Sequence, residues 1–372
     1  MSPLRILVVS PTFAPAVNGL ANVALKYCVG LVEHGHHVEV VTTGKESYVY
    51  DGISVITFDI SGNFTLKSPL RGKVLDYIQF LRSKSYDLII CHALQTGIVD
   101  LTFLFAKNPV LYFSHGVSWR SSIMPKMLYA ISRKVSYLPY RILGPLIIKR
   151  AKYAVFLGDK TVNDRTFDSC YFLPSEKTVI PNASDFPSAQ PKNYSGKDRL
   201  KLLVVGACSP EKGFDQLLDL IPKLSSRSVE SIAICTFDSG SYFDVFRDEL
   251  LKINNGILID FVLSRTGNQL LPYYVGSDIL LNLSHSECYP LVVADAENCR
   301  LPTICFDTGY QKEIPGALIV KSTDSAAELL NEFPGNQEKF KLRSELTKPR
   351  AWSESCDDLN NFIVKITEQQ KA

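Results

Sequence analysis

Short apolar runs alternate with stretches of helical period along this chain, and the alternation begins twice. No other sequence feature limits the possible folds as much. Continuous apolar runs of four to six residues suit strands buried on both faces, and parallel strands of that kind need helical crossovers between them. Ile6–Val9 reads as a first strand, Asn22–His34 as a helix closed by Gly35, and His37–Thr42 as the next strand. Asp87–Cys91, Val110–Ser114, Ala154–Leu157 and Val179–Pro181 continue the series. Ala183–Arg199 (ASDFPSAQPKNYSGKDR) has no period and is rich in Ser, Pro, Asp and Asn, so it reads as a linker. The pattern then restarts with Leu202–Val205, a loop Gly206–Gly213 and a helix Phe214–Leu224. Ser231–Cys235, Ile257–Val262, Ile279–Leu283 and Thr303–Phe306 follow as strands. The expectation is an α/β protein of two doubly wound domains, residues 1–185 and 200–353, joined by 186–199. A last helix, 354–371, is expected to pack back on the first domain.

Hydrophobic residues make up 46% and charged residues 21%, which excludes a disordered chain. Nine cysteines are scattered without a CxxC pair or a Cys/His ligand spacing. Neither a disulfide framework nor a zinc site is therefore expected, and a reducing, cytoplasmic compartment is. The run Ile6-Leu7-Val8-Val9 is too short for a signal-peptide core, and no later run has the length of a membrane span.

Ser284–Pro302 (SHSECYPLVVADAENCRLP) carries the densest chemistry. Pro290 suits the start of a helix, where its missing N–H costs nothing. Such a helix directs unpaired N–H groups and partial positive charge toward the preceding loop, a site for a diphosphate. Glu287 lies just before that turn and can accept hydrogen bonds from sugar hydroxyls, while Asp295 falls within the helix. Lys212 ends a second loop, Glu211-Lys212-Gly213.

This stretch resembles the signature of glycosyltransferase family four, in which a loop Glu is followed eight positions later by a second acid. Other landmarks follow in family order across nearly the whole chain: Pro15…Asn18-Gly19, His92, Ser114-His115-Gly116, Ile180-Pro181-Asn182, Glu211-Lys212-Gly213 and Asp307-Thr308-Gly309…Glu313. The resemblance implies a GT-B fold, two Rossmann-like domains facing a cleft, and a retaining, metal-independent transfer from a nucleotide sugar. It implies that Lys212, the Gly19 loop and the helix opened at Pro290 hold the donor diphosphate. Glu287, with Cys288, Tyr289 and Leu291 beside it, would contact the donor sugar; Asp295 would bind the ribose, and Glu313 would be a further donor contact. His115 would face the transferred sugar. No cofactor is expected, and no Asp-x-Asp occurs.

Several positions depart from the family pattern. Ala207 stands where an Arg usually grips the diphosphate, a loss on the order of 1.5–3 kcal/mol of charge-assisted contact. Asp295 replaces Glu, Ala183 and Arg300 replace glycines, and Thr236–Ser241 lacks the usual Gly-x-Gly-Pro. These leave open a non-catalytic GT-B subunit bound to a partner transferase. A further alternative is a nucleotide-sugar epimerase of the same fold, which would need an extra acid/base pair that the sequence does not identify.

Charge is unevenly spread. Residues 1–185 hold 20 of the 40 Lys and Arg but 13 of the 38 Asp and Glu. From Leu101 to Gly158 there is no acid at all, while Arg120, Lys126, Arg133, Lys134, Arg141, Lys149 and Arg150 are interleaved with Tyr, Leu and Ile. Such a stretch suits the headgroup region of an anionic membrane. The alternatives are a basic acceptor groove and a helix pair on the sheet; no nucleic-acid recognition motif is present. The acceptor expected is a glycan or glycolipid, lipid-linked or at the cell surface, as in polysaccharide or lipopolysaccharide synthesis. The protein would then be peripheral to the inner face of the membrane.

Overall fold

Leu88–His92 and Val110–Phe113 are buried at every position, and Arg5–Val9 at all but the first. Side chains on both faces must therefore meet apolar partners, which only a sheet covered by helices on both sides provides. The computed structural model describes residues 2–116, 135–158, 174–237, 241–253 and 256–371. The chain divides into two units, Met1–Pro181 with Ser353–Ala372, and Asn182–Trp352.

In the first unit an eight-stranded sheet runs Glu176–Val179, Tyr153–Phe156, Val110–Phe113, Leu88–His92, Arg5–Val9, His37–Thr43, Ile53–Phe58 and Tyr48–Tyr50. Every pairing is parallel except the edge hairpin Tyr48–Tyr50 with Ile53–Phe58. The sequence pattern misses that hairpin and the small antiparallel pair Ile60–Phe64 and Pro69–Gly72, because their strands are short and half exposed. Helix Gly19–Glu33 begins three residues before the predicted start, since Asn18 caps it by accepting from the Ala21 N–H at 2.9 Å. Helix Trp352–Lys371 buries Leu359, Ile363 and Ile366, and from Ser353 on it belongs to this unit. His34 meets Asp357 at 2.9 Å, and His36 meets Asn360 at 2.8 Å.

The second unit is a fully parallel six-stranded sheet, ordered Leu258–Leu263, Val229–Thr236, Leu200–Val205, Ile279–Asn282, Thr303–Phe306 and Ala317–Val320. Counted along the chain, that order is 3-2-1-4-5-6, the doubly wound dinucleotide-binding arrangement. The final strand, Ala317–Val320, is one the sequence pattern does not mark.

The expected linker is instead part of this unit. Tyr194 is buried in its core and donates to the Asp278 carbonyl at 2.8 Å. The Lys192 N–H donates to Ser344 at 2.7 Å, and the Lys192 ammonium donates to the Tyr274 and Val275 carbonyls at 3.2 and 2.6 Å. Asn298 donates to the Phe186 carbonyl at 2.9 Å. A segment without helical or strand period lacks a sequence signature, yet a few anchoring side chains suffice to pack it.

Candidate functional site

Where strand order reverses in an open α/β sheet, the two flanking loops diverge and leave a crevice at the strands' carboxyl ends. In the second unit that point lies between Leu200–Val205 and Ile279–Asn282, which pair directly. The loop after the first strand carries Lys212, and the loop after the other carries Glu287. Their side chains meet: Lys212 Nζ donates to Glu287 Oε1 at 2.8 Å. Glu287 is only 9% exposed and Lys212 is 39% exposed, so the carboxylate is covered while the ammonium retains an open side.

Two glycines let these loops approach one another. Gly213 has φ +78°, and a Cβ there would lie 2.1 Å from the Leu283 carbonyl oxygen. Gly309 has φ +55°, and its Cβ would lie 2.4 Å from the carbonyl oxygens of both Glu287 and Cys288. Neither position accepts another residue without moving backbone. The Tyr310 N–H then donates to the Cys288 carbonyl at 2.8 Å, and the His285 N–H to the Glu211 carbonyl at 3.0 Å. Beneath the Glu287 loop, Ser284 donates to Asn282 at 2.8 Å and Gln311 to Thr308 at 2.8 Å, all on buried or half-buried side chains.

Pro290 is the residue before helix Leu291–Asn298, with extended ψ, and not its first turn as the sequence suggested. Its side chain cannot cap, so the first-turn amides face the Glu287 loop without a side-chain partner from the cap position. Tyr289 lies between, its carbonyl accepting from Asn182 at 2.8 Å. Glu313 ends the 3-10 turn Gly309–Glu313, next to this loop. Asp295, one turn into the helix, accepts from the Ser184 hydroxyl at 2.5 Å. Burial pushes its carboxyl up to about 7, against the lowering effect of the Ser184 bond. Lys212, Glu287, Cys288, Tyr289, Pro290, Leu291 and Glu313 thus converge, with Asp295 adjoining. Ala207 is exposed in the Lys212 loop.

Sequence reasoning missed His285, whose Nε2 lies 2.9 Å from Asp215 Oδ2 and ties the Glu287 loop to helix Phe214–Leu220. It also missed Ser184. A polar side chain beside a loop gives no periodic signal.

The first unit has its own switch point, between Arg5–Val9 and Leu88–His92. Gly19 opens helix Gly19–Glu33 on one side. On the other, Ala93 and Gln95 adopt left-handed φ of 66° and 65°. Asp100 holds that loop by accepting from the Gln95 N–H at 3.0 Å, and it accepts from the Tyr140 hydroxyl as well. Asp100 is fully buried, which raises its carboxyl from 3.8 to about 7. A single acid within the apolar stretch Gly97–Phe105 was the available sequence signal. His115 follows the neighbouring strand, and its Nε2 lies 3.1 Å from His92 Nδ1.

Of the basic residues singled out, Arg120, Lys126, Arg133 and Lys134 lie outside the described residues, and Arg141 falls within helix Leu138–Arg150. Lys149 is exposed. Arg150 is exposed too, but its guanidinium is partly engaged: it donates to the Phe103 carbonyl at 3.1 Å and the Ala106 carbonyl at 2.5 Å. These carbonyls lie at the negative end of helix Gly97–Phe105 and lack helical partners, which draws the guanidinium in. Along the same helix Leu138, Ile142 and Leu146 are 48%, 70% and 54% exposed, and Val135 precedes them at 55%. Their spacing of three and four residues places them on one face. No helix among the described residues is long and apolar enough to cross a membrane.

Two family models match the chain in succession, Glycosyl transferase 4-like over residues 16–138 and Glycosyl transferases group 1 over residues 185–348. The chain is a divergent member of the group 1 glycosyltransferases. Solved structures of similar fold span nearly its whole length. Sucrose-phosphate synthase from Thermosynechococcus elongatus superposes with a TM-score of 0.69 at 13% identity, covering 98% of each chain. Anabaena HepE in complex with UDP-glucose gives 0.64 at 15% identity, also over 98% of each chain. WaaG, a glycosyltransferase involved in lipopolysaccharide biosynthesis, gives 0.61 at 17% identity with the same coverage. These likenesses establish the GT-B fold of this glycosyltransferase, with its two Rossmann-like units. By sequence, the GPI3 subunit of phosphatidylinositol N-acetylglucosaminyltransferase from Saccharomyces cerevisiae is 26% identical over 148 residues, 38% of this chain. The match spans about a third of that relative's length, 32%.

Proposed function

We propose that this glycosyltransferase moves a sugar from a nucleotide-sugar donor to a lipid-linked or cell-surface glycan acceptor, with retention of configuration and without a metal. The observation that carries the reading is the Lys212–Glu287 pair beside the start of helix Leu291–Asn298, at the second unit's switch point. A donor diphosphate would draw Lys212 Nζ toward its oxygens and take the first-turn amides as further donors. Glu287, released from part of that pairing, would accept from hydroxyls of the sugar. A ribose hydroxyl would bond Asp295 in competition with Ser184.

In the reaction, an acceptor hydroxyl attacks the anomeric carbon on the face from which the nucleotide departs, and the carbon–oxygen bond to the diphosphate breaks. The hydroxyl proton passes to a donor phosphate oxygen, so no dedicated base is required. Lys212 stabilises the charge that grows on the leaving diphosphate, and rate enhancement rests on that contact and on positioning. The bound UDP-glucose of the Anabaena structure supports a nucleotide sugar as ligand for this fold.

Membrane association is part of the proposal. The exposed face Val135, Leu138, Ile142 and Leu146 lies in an acid-free stretch, and an apolar face next to basic residues favours an anionic lipid surface. The phosphatidylinositol in the name of the yeast relative is a lipid acceptor, which supports a similar class here. The protein would work in the cytoplasm on the inner face of the membrane. Sedimentation with anionic liposomes at low salt tests this; no co-sedimentation would exclude it.

A second reading, a non-catalytic subunit paired with an active transferase, is favoured by Ala207 alone. Incubation with a panel of UDP-, GDP-, ADP- and CMP-sugars and a lipid-extract acceptor separates the two. Nucleotide release that depends on acceptor supports the transferase, and binding without turnover supports the subunit. Release of an epimerised donor without acceptor would point to the epimerase.

A further inference from the structure

His92 closes strand Leu88–His92, is fully buried, and stacks on Phe113 with ring centroids 4.9 Å apart. Tyr27 completes a cluster of three rings, its centroid 6.4 Å from that of His92 and 4.7 Å from that of Phe113. Its Nδ1 meets His115 Nε2 at 3.1 Å, and its own Nε2 is buried with no hydrogen-bond partner among the described residues. A bond between two neutral imidazoles needs one N–H and one bare nitrogen. Burial keeps both rings neutral: it holds His115 down to about 3, and His92 well below its ordinary value, with His115 as a second, smaller cause.

Two proton arrangements satisfy that bond. If His92 accepts at Nδ1, its proton sits on Nε2 and a buried N–H is left without an acceptor. If His92 donates from Nδ1, only a bare ring nitrogen faces the core. Orphaned buried N–H groups are the rarer of the two in folded proteins. We propose that His92 is a positioning residue that donates from Nδ1 to His115 Nε2, fixing His115 with its own proton on Nδ1. His115 then presents an N–H on the side away from His92, where no hydrogen bond to a described residue forms. It acts on substrate as a donor to an oxygen, a sugar hydroxyl or phosphate, and never as a base. This last step rests on the proposed role of His115; the tautomer itself does not.

The test is a nitrogen–proton correlation spectrum of the full chain labelled at its six histidines, near pH 7, with His92 and His115 assigned by substitution. The expected result is a protonated, pyrrole-type Nδ1 on both rings and a bare, pyridine-type Nε2 on both. A protonated His115 Nε2 would overturn the proposal. The His92→Asn variant keeps a donor near the Nδ1 position, and His92→Phe removes it while keeping an aromatic ring. Turnover should fall about tenfold in His92→Phe with donor KM little changed, and His92→Asn should restore most of it. Equal turnover in a folded His92→Phe variant would refute the positioning role. If His115→Ala also turns over like the wild type, the fault lies in the proposed role of His115, and the tautomer result stands by itself. Should His92→Phe not fold, the spectrum and His92→Asn still decide.

Discussion

The two units place opposite chemistries at the same topological position. At the switch point of the second unit stand a full positive and a full negative charge, Lys212 and Glu287, 2.8 Å apart, beside a helix start. At that of the first unit stand two imidazoles held neutral by burial and a carboxyl whose affinity for its proton is raised. A site that must grip a diphosphate needs fixed charge, because only charge-assisted bonds compete well with water for phosphate oxygens. A site that orients hydroxyls needs neutral donors and acceptors in set directions, and charge there would add a desolvation cost. The shared fold thus supplies position, while loop chemistry sets what is bound.

The largest expected effects break the charged half. Lys212→Ala should lower turnover about 10²- to 10³-fold, measured with the donor that the panel identifies. Because the pair is partly covered, the variant also leaves Glu287 without its cation, so Lys212→Arg is the control and should retain part of the rate. An unchanged rate in Lys212→Ala would remove Lys212 from the site. Next in size is the neutral half. His115→Ala should reduce turnover about 10- to 100-fold while leaving nucleotide affinity, read by calorimetry, within about twofold. A loss of nucleotide binding as large as that in Lys212→Ala would erase the distinction between the two switch points.

A smaller effect is on stability. Burial raises the folded-state pKa of Asp100 to about 7, above its ordinary 3.8, so the folded chain holds that proton more tightly than the unfolded one. Its stabilising effect is complete below pH about 4 and is lost as pH rises through about 7, a few kcal/mol at most. Asp100→Asn still accepts from the Gln95 N–H, meets the Tyr140 hydroxyl oxygen with its amide as donor, and has no proton to lose. The melting temperature of the wild type should therefore fall more between pH 5 and pH 8 than that of the variant; parallel profiles would contradict the burial argument. Asp295 and Glu297, both raised to about 7 by burial, carry the same sign, whereas the lowered His92 and His115 carry the opposite one below pH about 6.5; all four are common to both proteins, so the difference between the two profiles isolates Asp100. The smallest effect separates packing from surface within helix Leu138–Arg150. Arg150→Gln should cost about 1–2 kcal/mol of stability without altering liposome binding. Leu138→Ser with Ile142→Ser should do the reverse, and any other division would move the membrane face elsewhere.

Much of the fold was legible because buried parallel strands announce themselves: Leu202–Val205 and Val110–Ser114 could hardly be anything else. The Lys212 and Glu287 loops were legible through their resemblance to the family motifs; that Gly213 and Gly309 are required where backbone meets backbone is visible only in the structure. The edge hairpin at Tyr48–Phe58 was not, since half-exposed strands lack a continuous apolar run. Nor was the strap through Lys192 and Tyr194, whose anchoring depends on carbonyls distant in sequence. Arg150 shows the limit most plainly: composition makes it one more cation in a basic stretch, and only the three-dimensional arrangement gives it to the end of helix Gly97–Phe105. The histidine pair is similar. His92 and His115 were each visible, but their 3.1 Å contact depends on the register that pairs His92 with Phe113.

The central claim is that the charged switch point of the second unit holds a nucleoside diphosphate. Calorimetric titration of the wild type and of Lys212→Ala with UDP, GDP, ADP and CMP tests it most directly. The account predicts that one nucleoside diphosphate binds the wild type and that Lys212→Ala weakens it at least tenfold, about 1.4 kcal/mol. Binding of equal strength to both proteins, or to neither, would contradict it.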